Sequence, residues 1–235
     1  MTDGRLQGRI AVITGASRGI GAAAARRFAR EGAHVVLVAR TVGGLEEVDD
    51  AVQADGGTAT LVPLDLLDFA AIDRLGGTIA ERHGRLDILV GNAATLGGLR
   101  PIGHFPPDEW ERVFALNVTA NWRLIRSFDA LLRASDAGRA IFVTSGAARM
   151  SVAYWGAYSA SKAALESMAR IYAAEVAKTS VRVNLLDPGE IRTRMRAEAM
   201  PGEDPMTLPH PDEITGAFVD LAAPDCRLNG EIVTA

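Results

Sequence analysis

The sequence predicts an α/β chain folded as a doubly wound parallel sheet, and three observations predict it. Short apolar runs recur along the 235 residues with helix-like stretches between them. The runs do not alternate cleanly between apolar and polar, as expected of strands covered on both faces. No linker, repeat or low-complexity tract breaks the series, so residues 1–235 read as a single domain with one sizeable core.

Taken in order, the strand candidates are IAVIT (10–14), HVVLVA (34–39), TATLVP (58–63), LDILVG (86–91), AIFVTS (140–145), VRVNLL (181–186) and EIVTA (231–235). Most are too short for helices and rich in Val and Ile. Helical stretches are expected near 19–31, 41–54, 68–83, 108–134, 158–178 and 212–222. Strand–helix alternation implies right-handed crossovers, a parallel sheet of seven strands, and helices on both faces. One long irregular segment, 188–211, carries four prolines after Pro188 and follows a strand directly. Loops of that length serve as lids or binding loops, so it is the expected substrate-binding region.

Composition narrows the partners. A net charge of −4 gives no support to nucleic-acid binding. No apolar run approaches bilayer length, and MTDGRLQGRI lacks the basic and apolar regions of a signal peptide, so no membrane partner and a cytoplasmic location are expected. Cys226 is the only cysteine, and His34, His83, His104 and His210 show no ligand spacing, so no metal site is expected.

The stretch ITGASRGIG follows the first strand and opens the first helix. Gly15, Gly19 and Gly21 permit turn conformations and close backbone approach. The helix N-terminus behind them offers free N–H groups and a favourable dipole to a pyrophosphate. A dinucleotide would then lie along the C-terminal ends of the strands.

A second stretch, YWGAYSASKAAL (154–165), holds two of three tyrosines and one of only two lysines. Tyr158 and Lys162 share a helix face at i and i+4. Ser145, thirteen residues before Tyr158, stands at the end of the fifth strand. A hydroxyl, a phenol and an ammonium in one crevice suit hydride transfer to or from a carbonyl or alcohol carbon. Ser145 can hydrogen-bond the oxygen that gains charge, and Tyr158 can hand it a proton. A phenol with a pKa of about 10 is a poor acid–base group near neutrality, so Lys162 is expected to lower it. A shift of about three units needs about 4 kcal/mol. Met150 and Trp155 lie between Ser145 and Tyr158 and are candidates to line the substrate pocket. Arg192, Arg194 and Arg196 read mainly as solvated loop charges, with an anionic substrate the lesser alternative.

The chain resembles the classical short-chain dehydrogenase/reductase family over essentially its whole length. The resemblance rests on TGASRGIG (14–21), LDL (64–66), NAA (92–94), Asn117 in LNV, Ser145, YSASK (158–162) and PG (188–189). It implies a Rossmann-type fold and a carbonyl or alcohol substrate. Asp65 and Leu66 would border the adenine, and Asn92 the ribose. Thr193 would meet the nicotinamide carboxamide. Asn117 would hold a water in a proton relay running through Lys162 to Tyr158. Ser17, Ile20, Ala93, Pro188, Gly189 and Ile191 complete the motif residues expected at the coenzyme. The family's usual NNAG reads GNAA (91–94) here, and the chain stops at GEIVTA where many relatives continue. The resemblance further implies a homodimer or homotetramer, paired through helices 108–134 and 158–178 with Phe114, Leu124, Leu165, Met168 and Ile171 as apolar candidates.

The coenzyme expected is NADP(H) rather than NAD(H). NAD enzymes place Asp or Glu after the second strand to bond the ribose 2′-hydroxyl. Here Ala39 holds that place and Arg40 follows, with Arg18 inside the glycine turn. Guanidinium groups suit a 2′-phosphate. Two alternatives stand beside this reading: a 3-oxoacyl thioester reductase, and a dinucleotide-sensing protein without turnover.

Overall fold

The computed structural model describes residues 4–235. Seven strands join one sheet: β1 (Ile10–Thr14), β2 (His34–Ala39), β3 (Thr58–Pro63), β4 (Ile88–Gly91), β5 (Arg139–Val143), β6 (Arg182–Asp187) and β7 (Ile232–Thr234). Their spatial order is β3-β2-β1-β4-β5-β6-β7, and every neighbouring pair is parallel. The helices are α1 (Gly19–Arg30), α2 (Val42–Ala54), α3 (Phe69–His83), α4 (Pro107–Phe114), α5 (Ala120–Ala134), α6 (Gly156–Glu175), α7 (Arg194–Ala199) and α8 (Thr215–Ala222).

The strand runs lack polar alternation because each strand feeds two cores. Ala11 and Ile13 of β1 pack with Phe28 of α1, Leu45 of α2 and Phe218 of α8. Val12 packs on the other side with Ile72 of α3, Phe128 of α5 and Leu165 of α6. The chain winds outward from β1 to β3, then crosses back to β4 beside β1. That reversal opens a crevice beyond the C-terminal ends of β1 and β4.

Several expected boundaries move. Ser145 lies two residues past β5 rather than inside a strand ending at 145. The helix expected over 108–134 runs unbroken through α4 and α5, with a π-helical turn at Ala115–Thr119 between them. The helix expected at 158–178 begins at Gly156 and ends at Glu175. The 188–211 segment is not wholly irregular: it holds α7, capped by the Thr193 hydroxyl accepting from Arg196 N at 3.2 Å. Six residues are too few for a periodic pattern to declare that helix. Leu124 and Leu165, expected at a subunit contact, are fully buried against the sheet instead.

Candidate active site

The crevice begins where β1 and β4 end. Thr14 Oγ1 donates to Val90 O at 3.1 Å and accepts from Asn92 N and Ala93 N at 3.0 and 3.1 Å. Asn92 Nδ2 donates to Thr14 O at 2.9 Å. These bonds fasten the glycine turn to the loop after β4. Gly15 and Gly19 have φ of +66° and +58°, a region that favours glycine. A Cβ at Gly15 would stand 2.8 Å from Asn92 Nδ2, and one at Gly21 would collide with the Gly15 carbonyl. Gly21 therefore serves the turn by packing, whereas the other motif residues face the crevice. Arg18 caps α1 without any side-chain bond to the helix, which leaves first-turn N–H groups open. An uncapped helix start behind a side-chain-free turn fits a pyrophosphate.

From this turn a cavity of about 690 Å³ runs along the strand ends. Gly15, Ser17, Arg18, Gly19 and Ile20 line it at β1, and Arg40, Asp65 and Leu66 line it past β2 and β3. Asn92 and Ala93 line it past β4, and Pro188, Gly189, Ile191 and Thr193 past β6. Ser145, Tyr158 and Lys162 line its far end with Trp155. Met150 does not; it is 60% exposed, which corrects its assignment to the substrate pocket. Its segment turns outward before Tyr154, whose φ of +74° is the one left-handed non-glycine among the described residues.

Asn117 is also outside the cavity. Its side chain is buried and fully engaged: Oδ1 accepts from Thr95 N at 2.9 Å, and Nδ2 donates to Thr95 O and to Ser161 Oγ, both at 3.0 Å. Its carbonyl accepts from Asn121 Nδ2 at 2.8 Å. The π-turn carries Asn117 toward the loop after β4, and the side chain holds that loop in place. A water at Asn117, as the resemblance implies, would have to bind an acceptor, since both Nδ2 hydrogens are taken.

The Tyr158 phenol is buried, which pushes its pKa up from the ordinary 10.0 to about 12. Hydrogen bonding to Ser145 pulls it back, and the negative charge of Asp187 adds to the rise. The expected lowering by Lys162 is absent. Lys162 Nζ donates to Val143 O at 2.7 Å and lies 5.7 Å from the Tyr158 ring centre. Burial pulls the ammonium down to about 8, opposed by the charges of Asp187 and Glu166. The i to i+4 spacing brings the pair close, but a carbonyl from β5 captures the ammonium.

Apart from Trp155, sequence reasoning missed the apolar wall at this end. Leu96 and Ala199 are buried against Tyr158, with Leu99, Ala147, Trp155 and Met195 packed around them. They come from four separate segments, and no local pattern links them. Asp65 and Arg40 face each other across the other end at 4.0 Å, and Asp65 Oδ1 accepts from Leu67 N at 3.0 Å. Arg194 is paired with Glu198, and Arg196 with Glu190 and Glu203, at the cavity's edge.

A phosphate-binding turn at the sheet's switch point, leading to a phenol and an ammonium beneath it, marks a dinucleotide-dependent α/β oxidoreductase. The chain belongs to the short-chain dehydrogenase family, whose model matches residues 9–204. Oxidoreductase YciK of Escherichia coli K12 is 39% identical over 225 residues, covering 94% of this chain and 89% of that protein. An NAD-dependent oxidoreductase of Mycobacterium tuberculosis is 35% identical, covering 93% of this chain and 90% of its own. A short chain dehydrogenase of Shigella flexneri 2a, solved in complex with NADP, superposes with a TM-score of 0.95 at 36% identity, covering 99% of both chains. The chain is thus an NAD(P)-dependent oxidoreductase acting on CH–OH groups. No helix among the described residues is long and apolar enough to cross a membrane.

Proposed function

We propose that this chain interconverts a carbonyl and a secondary alcohol with NADP(H), using Tyr158 as general acid and base. One observation carries the reading: Ser145, Tyr158 and Lys162 meet at one end of a dinucleotide-sized cavity whose other end is a phosphate cradle. The glycine turn, Asn92, Ala93 and the Pro188–Thr193 segment would hold the coenzyme. Bound there, the coenzyme supplies or accepts the hydride. Ser145 Oγ accepts from Ala147 N at 3.2 Å and hydrogen-bonds the Tyr158 phenol, so a substrate oxygen at the phenol would meet both hydroxyls. Tyr158 stays protonated across ordinary pH and is therefore set to donate a proton in the reducing direction. Trp155, Leu96 and Ala199 exclude water around that phenol and favour an uncharged, apolar neighbour. A 3-oxoacyl thioester reductase would use the same set and is the second activity to assay; a sensor without turnover would not need a poised proton donor.

The preference for NADP(H) rests on the far end. Ala39, Arg40 and Arg18 line it, and the Shigella protein's NADP is a precedent on the same fold. Glu47 of α2 lines the same end and opposes a phosphate there. Titration with both reduced coenzymes tests this: NADPH is expected to bind tighter, and equal or tighter NADH binding overturns it. Ala39→Asp combined with Arg40→Ala should shift the preference to NAD(H). For the reaction, a panel of ketones and secondary alcohols read by NADPH absorbance is the test. Tyr154→Phe should keep most activity, because Tyr154 is exposed. We also propose a homodimer through the outer face of α6, where Ile171 is 57% exposed; light scattering at micromolar concentration tests it.

A further inference from the structure

Beneath the site lies a group of charges that the proposed reaction does not use. Arg149 stands in the segment joining Ser145 to Tyr158. One of its nitrogens donates to Glu166 Oε1 and another to Asp187 Oδ2. Both carboxylates are buried, at 7% and 8% side-chain exposure, whereas Arg149 is 41% exposed. Glu166 lies one helical turn beyond Lys162 on α6, and it also accepts from Thr144 Oγ1 at 2.7 Å. Asp187 ends β6, directly before Pro188, and its Oδ1 accepts from Gly189 N at 3.2 Å. One guanidinium therefore ties together the loop after Ser145, the helix of Tyr158 and Lys162, and the segment expected to hold the coenzyme.

We propose that Arg149 is a positioning residue: by bridging Glu166 and Asp187 it keeps both buried carboxylates in place beneath the site, and the carboxylates in turn hold the Lys162 ammonium in its charged form beside Tyr158. The physical reason is charge balance. A buried ammonium without a counter-charge loses its proton. Two buried carboxylates without a cation repel each other, and one takes up a proton instead. An arginine fits the bridge because its rigid planar fork holds two acceptors from separate nitrogens, whereas a lysine offers one compact ammonium.

The charges around Lys162 are few. Its own helix presents Tyr158 and Glu166, β6 presents Asp187, and the segment after Ser145 presents Arg149. The π-turn presents Asn117, which does not ionise. Of the charged residues on α4, only Arg112 reaches the cavity into which Lys162 opens. Asp187 and Glu166 both push the Lys162 pKa up against the effect of burial. Neutralising Asp187 therefore lets the ammonium deprotonate at lower pH. Removing Arg149 leaves the two carboxylates without their bridge, so one takes up a proton, Lys162 loses part of its counter-charge, and its deprotonation also moves to lower pH.

The inference rests on the reading of Lys162 as a working group, but its test needs neither coenzyme nor substrate. The chain has two lysines, Lys162 and Lys178, so lysine side-chain isotope labelling gives two NMR signals and Lys178→Arg leaves one. In that background the Lys162 midpoint should fall on Asp187→Asn and fall on Arg149→Met. Asp187→Asn keeps an oxygen for Gly189 N and should fold. If Arg149→Met does not fold, Arg149→Lys serves in its place, with a smaller fall expected. An unchanged midpoint in folded Asp187→Asn overturns the proposal, as does a rise in Arg149→Met. Once a substrate is in hand, the ratio of kcat at pH 8 to kcat at pH 6.5 should drop roughly fivefold or more in Asp187→Asn, since one pKa unit is about tenfold in an equilibrium. A loss of kcat uniform across pH would mark a purely structural role and overturn the proposal.

Discussion

At the N-terminal ends of the strands, Arg9 reaches Asp87 at 3.3 Å, Ser135 Oγ at 3.2 Å and Ala137 O at 3.2 Å, all buried. At the C-terminal ends, Arg149 reaches Glu166 and Asp187 beside Tyr158 and Lys162. Both clusters set an arginine across buried carboxylate, yet they differ in what is left over. Asp87 also accepts from Ile10 N at 2.9 Å, Ser135 Oγ at 2.6 Å and Arg85 Nε at 3.1 Å, so its lone pairs are taken. Nearby Arg139 gives its donors to five backbone carbonyls. None of these residues lines the cavity. The upper cluster instead lies beneath Ser145, Tyr158 and Lys162, which line the cavity, and Lys162 Nζ spends only one of its donors, on Val143 O. Saturation makes a polar cluster structural, and incomplete saturation beside a cavity makes one reactive.

Breaking each cluster separately should give opposite signatures. Tyr158→Phe should lower turnover about 10³-fold, within the usual span for a lost acid–base group, with coenzyme binding and the unfolding midpoint near wild type. Stopped assays and thermal melts on one preparation would show it, and near-native turnover would remove Tyr158 from the mechanism. Asp87→Ala should do the reverse. Removing the buried partner of Arg9, which keeps only the exposed Asp136 at 3.0 Å, should destabilise the fold by about 3 kcal/mol in urea, while the folded fraction keeps its kcat/KM. A lost kcat/KM at full stability would erase the contrast drawn above.

Smaller effects sharpen the comparison at the exposed end of the cavity. Arg40→Ala should weaken NADPH by about 10-fold or more and leave NADH nearly unchanged, because a charge-assisted contact contributes roughly 1.5–3 kcal/mol. Fluorescence titration checks it. Glu47→Gln should tighten NADPH by a few-fold at low salt and less at high salt, since the charges there are solvated and screened. Equal effects on NADH would place Glu47 away from the phosphate.

Much of this arrangement is local and was legible in the chain. The strands announce themselves because both faces are buried, and the glycine turn and the Tyr158–Lys162 pair are defined within a few residues. What escaped depends on contacts between distant segments. The π-turn at 115–119 exists where Asn117 reaches Thr95, a contact no helical periodicity encodes. Lys162 turns to a carbonyl nineteen residues earlier, and burial of the phenol decides its shift instead. The apolar character of Leu124 and Leu165 was plain, but not the side they face, since a sheet and a partner helix ask for the same residues. Met150 was placed by its position in sequence, and a left-handed residue at Tyr154 helps turn its segment outward.

Gly91 stands where the family's usual motif has asparagine. A Cβ built there would collide with Asn121 Oδ1 and approach Phe142 Cδ1 at 2.6 Å. Asn121 is itself buried and anchored to the Asn117 carbonyl. Gly91 is therefore interlocked with both Asn121 and Phe142, and a side chain at residue 91 needs both neighbours to yield. Chimeras that bring a relative's side chain to residue 91 should exchange the start of α5 and β5 with it, because the end of β4 alone inherits the collision.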